Sequence, residues 1–202
     1  LVDRLVARVE KLRVGDPLDP RTDVGPVATA DQERKILGYI DVGRKEGDKL
    51  LIGGKKLRGG AYDRGFFIEP TIFEVKPEKR LAMEEIFGPV LSVIKVRDYD
   101  EAVAVANSVE YGLSSSIYTN DVRRAFAAMQ DLEAGITYVN APTIGAEVQM
   151  PFGGIKSTGP TDTREAGFTM MEEFTYVKTV YVDYSGRLQK AQIDTAKLTG
   201  QG

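Results

Sequence analysis

The chain has 202 residues, 42% apolar and 28% charged, with a net charge of −3. That is the balance of a globular protein without the basic face that binds nucleic acid. It contains no cysteine and no histidine, which excludes disulfides, thiolate metal sites, a thiol nucleophile and the commonest general base. No apolar run approaches the ~20 residues that cross a bilayer, and no secretory leader pattern is recognised. The expectation is a cytoplasmic chain with no metal site and with neither membrane nor nucleic acid as partner.

Leu1, Leu5, Val9 and Leu12 share one helical stripe, so the spacing predicts a helix over residues 1–13, with Arg8, Lys11 and Arg13 near its carboxyl end and Gly15 closing it. Repeated Gly-Pro and Asp-Pro steps make residues 15–26 a connector. Thr29, followed three positions later by Gln32, opens a second helix over 29–46 whose buried face holds Ile36, Leu37 and Ile40, and Gly47 stops it. Leu50-Leu51-Ile52 reads as a short strand turned out by Gly53-Gly54. Residues 66–75 read as extended, with Pro70 at a sheet edge or bulge.

Met83-Glu84-Glu85-Ile86-Phe87-Gly88-Pro89-Val90 reads as a loop delivering a strand. Gly88 is expected to take a backbone angle that other residues avoid, and the β-branched run 90–96 is expected to be a strand buried on both faces. Asp98 and Glu101 cap a helix with Ala102, Val105, Ala106 and Val109 on its apolar face. Tyr111-Gly112-Leu113 starts a strand through Thr119. Asn120 is expected to cap the next helix, with Val122, Phe126, Met129 and Leu132 facing the core, and Ile136 to Val139 is a further strand. This alternation predicts an α/β fold, an open, mainly parallel sheet covered by helices. The irregular loop 140–159 follows a strand end, where ligands gather in such sheets. A short helix is expected within 164–174. Residues 175–184 alternate Val177, Thr179, Tyr181 and Asp183 on one side with Lys178, Val180, Val182 and Tyr184 on the other; this late strand has no later partner in sequence, which invites one from elsewhere. The polar tail runs over 185–202.

Three blocks carry a resemblance: Glu84-Glu85-Ile86-Phe87-Gly88-Pro89-Val90, then Asn107-Ser108-x-x-Tyr111-Gly112-Leu113, then Pro151-Phe152-Gly153-Gly154-x-Lys156-x-x-Gly159. In this order they resemble the C-terminal part of the aldehyde dehydrogenase superfamily, over about residues 1–184. The resemblance implies a partial catalytic domain over 1–159, a helix and oligomerisation strand over 160–184, and a tail. It implies oxidation of a small-molecule aldehyde to an acid with NAD or NADP as cofactor, and a homo-oligomer joined through the strand that begins at Thr175. The family's nucleophilic Cys, its general-base Glu and its oxyanion-hole Asn lie upstream of the region matching Leu1. The chain is therefore expected to be a fragment that is inactive alone, with no catalytic residue of its own.

Residue by residue, the resemblance gives Glu85 the ribose hydroxyls of the nicotinamide half, and the chemistry agrees, since a carboxylate only accepts and a diol offers two donors. Adjacent acids in extended backbone point to opposite faces, so only one of Glu84 and Glu85 easily faces a site; a solvated surface acid is the plain alternative. Phe87 is given the flank of the nicotinamide ring, against simple core packing. Gln32 and Lys35, three apart on one helix, are given the cofactor ribose and nearby groups, against an ordinary charged helix face. Phe152 resembles the aromatic wall of the aldehyde tunnel, against packing under its loop. Gly145 and Ala146 lie where the substrate is met in the family; Pro142-Thr143-Ile144-Gly145 is similar to members that act on semialdehyde acids, with backbone N–H groups for a substrate carboxylate, although Glu147 would repel one. The other reading is a non-catalytic association module. A free-standing nucleotide-binding protein is disfavoured by the missing glycine fingerprint.

Overall fold

Helices α1 (Val2–Val9) and α2 (Ala30–Glu46) come first in the chain, and the computed structural model, which describes residues 1–145, 147–159 and 164–186, is built on the second of them. α2 forms because its ends and its face agree. The Thr29 hydroxyl accepts from the Gln32 N–H, Gly47 closes the helix with φ +80°, and Glu33, Ile36, Ile40 and Gly43 fall on one buried stripe.

That stripe lies against strands β1 (Lys49–Ile52) and β2 (Thr71–Glu74), helix α3 (Arg80–Met83) and strand β3 (Val90–Val93). The sheet order is β1-β2-β3, antiparallel then parallel, with a bulge in β1 between Leu50 and Ile52. Ile36, Ile40, Ile68, Phe73, Val75, Leu81 and Ile86 make one core. Each fully buried isoleucine or phenylalanine contributes roughly 1.5–3 kcal/mol by leaving water. This cluster is therefore where most of the chain's stability resides.

The second half is thinner. Helix α4 (Tyr99–Asn107) is capped by Asp98, which accepts from the Glu101 N–H. Strand β4 (Tyr111–Gly112) and strand β5 (Ser114–Ile117) precede helix α5 (Val122–Asp131), strand β6 (Ile136–Val139), strand β7 (Ile155–Lys156) and helix α6 (Thr169–Glu173). β5 pairs with β6 in parallel, and β4 pairs with β7 antiparallel. The α/β class expected from sequence is present. Its strands fall into three small sheets among the described residues, with parallel pairing at β2–β3 and β5–β6.

Several local expectations are corrected. The first helix ends at Val9–Glu10, where the Lys11 and Leu12 N–H groups turn back to the Arg8 and Val9 carbonyls, so Gly15 is not its terminator. The strand after Pro89 stops at Val93, and Leu91 is 46% exposed, so β3 is not buried on both faces. The 111–119 strand breaks at Leu113 into β4 and β5, which join different sheets. The α5 cap is Asp121, whose carboxylate accepts from the Arg123 and Arg124 N–H groups, not Asn120. The stripe Val122, Phe126, Met129 is exposed and Ala128 is the buried position of that helix. The late helix spans only Thr169–Glu173. Residues 175–184, expected to pair with a partner from elsewhere, lie exposed and without strand pairing among the described residues of this single chain, which leaves that expectation open to a second copy. No described helix is long and apolar enough to cross a membrane.

Candidate active site

The three sequence blocks meet at one cleft. Its lining takes Met83, Glu84 and Glu85 from the loop before β3, Tyr111 and Leu113 from around β4, and Ser157 and Thr158 from after β7, around a volume of about 490 Å3. The second and third blocks are held together by strand pairing, Tyr111 against Lys156 and Gly112 against Ile155, and by the Gly112 N–H donating to the Thr158 hydroxyl at 2.9 Å. Lys156 reinforces this: its ammonium donates to the carbonyls of Asn107 at 2.7 Å and Val109 at 3.3 Å and pairs with Glu133 at 2.6 Å.

Of the two adjacent acids, one is committed and one is open. Glu84 accepts from the Tyr39 hydroxyl at 2.8 Å and from Arg80 through Nε at 2.8 Å and Nη2 at 2.9 Å. Arg80's guanidinium, and after it the Tyr39 hydroxyl, hold the Glu84 carboxyl down at about 2. Glu85 is exposed, and its carboxylate has no hydrogen-bond or ion-pair partner among the described residues. The Tyr111 phenol is raised above its ordinary value, first by its hydrogen bond to Glu110 and, through space, by Glu85 and Glu84. The cleft mouth is therefore negative. It suits a neutral group rich in hydroxyl donors better than a phosphate.

Phe87 stands just beyond, 74% exposed, with φ +56°. A left-handed backbone at an aromatic residue costs roughly 1–3 kcal/mol and persists only where neighbours impose it. Here they do. The Gln32 side-chain amide donates to the Phe87 carbonyl at 2.5 Å and to the Ile86 carbonyl at 3.2 Å. Gly88, expected to be the strained position, is not; it is glycine because a Cβ there would run into the Ile36 side chain. The turn is thus displaced one residue from where the Gly-Pro punctuation put it.

The remaining predicted residues are placed as follows. Lys35 lies on the exposed side of α2, its ammonium 6.0 Å from the centre of the Tyr39 ring. Phe152 does not line the same cleft; it lines a neighbouring pocket of about 240 Å3 with Leu113, Gly153, Gly154, Thr158, Gly159 and Glu165. Leu113 and Thr158 belong to both, so the two spaces adjoin. Phe152 is fixed by its N–H donating to the Glu165 carbonyl at 2.7 Å. Gly145 is apart from both spaces, its carbonyl accepting from the Tyr138 hydroxyl at 2.7 Å, and Ala146 lies outside the described residues. Tyr111, Leu113, Ser157 and Thr158 were assigned no role from sequence, although all four lie inside or beside the quoted blocks.

The chain matches the aldehyde dehydrogenase family over residues 1–180, and it belongs to that family. It is 41% identical over 181 residues to the alpha-ketoglutaric semialdehyde dehydrogenase of Bacillus subtilis and 43% identical over 185 residues to the betaine aldehyde dehydrogenase of Brucella anthropi, alignments that cover 89% and 90% of this chain. Among solved structures, an aldehyde dehydrogenase of Mycobacterium tuberculosis complexed with NAD+ superposes with a TM-score of 0.83 at 36% identity, over 93% of this chain and 38% of that one. PnpE from Pseudomonas sp. WBC-3 gives a TM-score of 0.88 at 35% identity, over 94% and 38%. The chain spans 37% of the length of each of the two curated relatives.

Proposed function

We propose that this chain is the part of an NAD(P)+-dependent aldehyde dehydrogenase that holds the nicotinamide half of the cofactor and one wall of the aldehyde channel. The observation that carries the reading is the cleft in which an unpartnered carboxylate, Glu85, faces residues of the second and third blocks. Glu85 accepts from the ribose diol, and Phe87 limits the tilt of the nicotinamide ring. Gln32 and Lys35 stand on the helix beside that loop and belong to the same ligand's surroundings. Phe152 walls the adjoining space on the aldehyde side, with Gly145 and Ala146 contributing backbone to the substrate's far end. The bound nicotinamide accepts the hydride in such a reaction; these residues bind and orient.

The sulfur nucleophile has to come from other residues, since this chain has no cysteine. Residues 1–159 form the partial catalytic domain, and 160–184 form the association segment. The exposed apolar residues Val177, Val180 and Val182 support pairing of that segment with a second copy. A semialdehyde acid is one substrate class suggested by the relatives, beside betaine aldehyde, and a cytoplasmic setting is part of the same reading. Purified alone, the chain should oxidise no aldehyde in the presence of NAD+ or NADP+. In a longer polypeptide carrying this segment behind a cysteine-bearing first part, Glu85→Gln should raise KM for the cofactor about tenfold or more, as loss of a charge-assisted hydrogen-bond pair does. Unchanged cofactor affinity in that variant would overturn the assignment.

A further inference from the structure

The loop that carries Glu85 and Phe87 is attached to a single helix. Gln32 and Tyr39 are seven positions apart on α2, two turns along one face. Gln32 holds the Phe87 and Ile86 carbonyls, and Tyr39 donates to Glu84 at the other end of the loop. Between these two points Gly88 sits against Ile36, also on α2 and fully buried. Arg80 closes the outer side by binding both oxygens of Glu84. The residues left between the attachments are Glu85, with no described partner, and Phe87, with its ring in solvent and its backbone in the left-handed region.

The Gln32 side-chain nitrogen lies within hydrogen-bond distance of two successive carbonyl oxygens of this loop. It can satisfy those carbonyls only while Phe87 keeps its unfavourable backbone. We infer that α2 is the template of the cofactor loop, with Gln32 a positioning residue that enforces the left-handed conformation of Phe87 and Tyr39 a second anchor that commits Glu84 so that Glu85 alone addresses the ligand. The inference rests on the reading that Glu85 and Phe87 meet the cofactor, but the backbone constraint is a property of this chain and is testable without any ligand. Gln32 serves the site through Phe87, and the strain is held in place before the cofactor arrives.

The test is a thermodynamic cycle on the 202-residue chain. Glycine accepts the left-handed region freely, so Phe87→Gly relieves strain wherever strain exists. If Gln32 imposes it, the change in melting temperature on Phe87→Gly is more favourable in the wild-type background than in Gln32→Met by roughly 2–4 °C, the shift expected for relief of one strained residue in a chain of this size. Gln32→Met keeps the length of the side chain and removes the donor. An equal Phe87→Gly shift in both backgrounds overturns the inference, because a glutamine that merely packs would leave the strain in place. Should Gln32→Met not fold, the same comparison is read in Gln32→Asn, whose amide falls one methylene short of the carbonyls. Cofactor binding by Glu85→Gln tests the functional reading separately: a positive cycle with unaltered cofactor affinity would retain the template and reject the ligand.

Discussion

Lys156 donates to the carbonyl oxygen of Asn107 at 2.7 Å, so the lysine of the third sequence block closes the helix that ends on the asparagine of the second. Asn107 in turn donates to the Asp131 carbonyl at 2.7 Å and accepts from the Glu133 N–H at 2.9 Å, closing α5 as well. Two helix ends, which would otherwise leave carbonyls without partners, are thus satisfied by one lysine and one asparagine. These residues hold the floor of the cleft together; they do not face it.

Lys156→Ala should therefore be costly. It removes two hydrogen bonds from a charged donor that is 22% exposed, together with its pairing to Glu133. The expected loss is about 2–3 kcal/mol, read from urea midpoints. Lys156 also has φ +56°. Lys156→Gly loses the same bonds but relieves that backbone, so it should fall short of the alanine loss by about 1 kcal/mol. Equal midpoints for the two variants would show that the backbone angle stores nothing.

How much of this was legible beforehand follows the range of the interactions. α2 was legible in full because Thr29, the Ile36–Ile40 stripe and Gly47 are local signals that agree. That Glu85 and Phe87 stand on a loop delivering a strand was legible through their motif. The positive φ of Phe87 was not, because its cause is Gln32, 55 residues away, while the local Gly-Pro signal pointed to Gly88. Tyr111, Leu113, Ser157 and Thr158 line the cleft only because β4 pairs with β7, a long-range register that no local period reveals. The apolar stripe of α5 was read correctly as a stripe and wrongly as a core face; periodicity shows that a face exists, not that this chain covers it.

Gly88 and Gly38 should respond in opposite directions to the same substitution. A Cβ at Gly88 meets the side chain of the fully buried Ile36, so Gly88→Ala is expected to cost about 1–3 kcal/mol through overpacking. A Cβ at Gly38 meets nothing within 4 Å and lies in the interior of α2, so Gly38→Ala should add about 1 kcal/mol by helix propensity alone. Thermal denaturation of the two variants checks both. A destabilised Gly38→Ala would mean that this face of α2 is covered in solution.

Stability should depend on acid through Glu84. Its carboxyl lies at about 2 against an ordinary 4.5, chiefly because of Arg80 and then Tyr39. A carboxyl depressed in the folded state takes up its proton first in the unfolded chain. Its contribution is therefore fully present above 4.5 and is lost as the pH falls towards about 2. Glu84→Gln should be less stable than wild type at neutral pH, and the gap should close across that window. Because the Arg80 and Glu84 side chains are 51% and 39% exposed, added salt should narrow the gap at neutral pH too. A gap that stays constant from neutral pH to pH 2 would place the Glu84 contribution in packing and not in charge.

The outward stripe of α5 makes the sharpest contrast with the core. Phe126, 62% exposed between Val122 and Met129, loses little surface on folding of this chain. Phe126→Asp should therefore change its stability by no more than about 0.5 kcal/mol. Ile40→Ala, at a position 1% exposed, should cost about 2–5 kcal/mol. Phe126→Asp should also reduce binding of an apolar fluorescent dye, because it interrupts a contiguous exposed patch. In a longer polypeptide whose additional residues cover this face, the ranking changes: Phe126→Asp then places an unpaired carboxylate in an interior and becomes one of the most damaging single changes in the segment. Denaturation of the same variant in both lengths of chain therefore shows whether α5 is a surface of the protein or an interior face awaiting the rest of it.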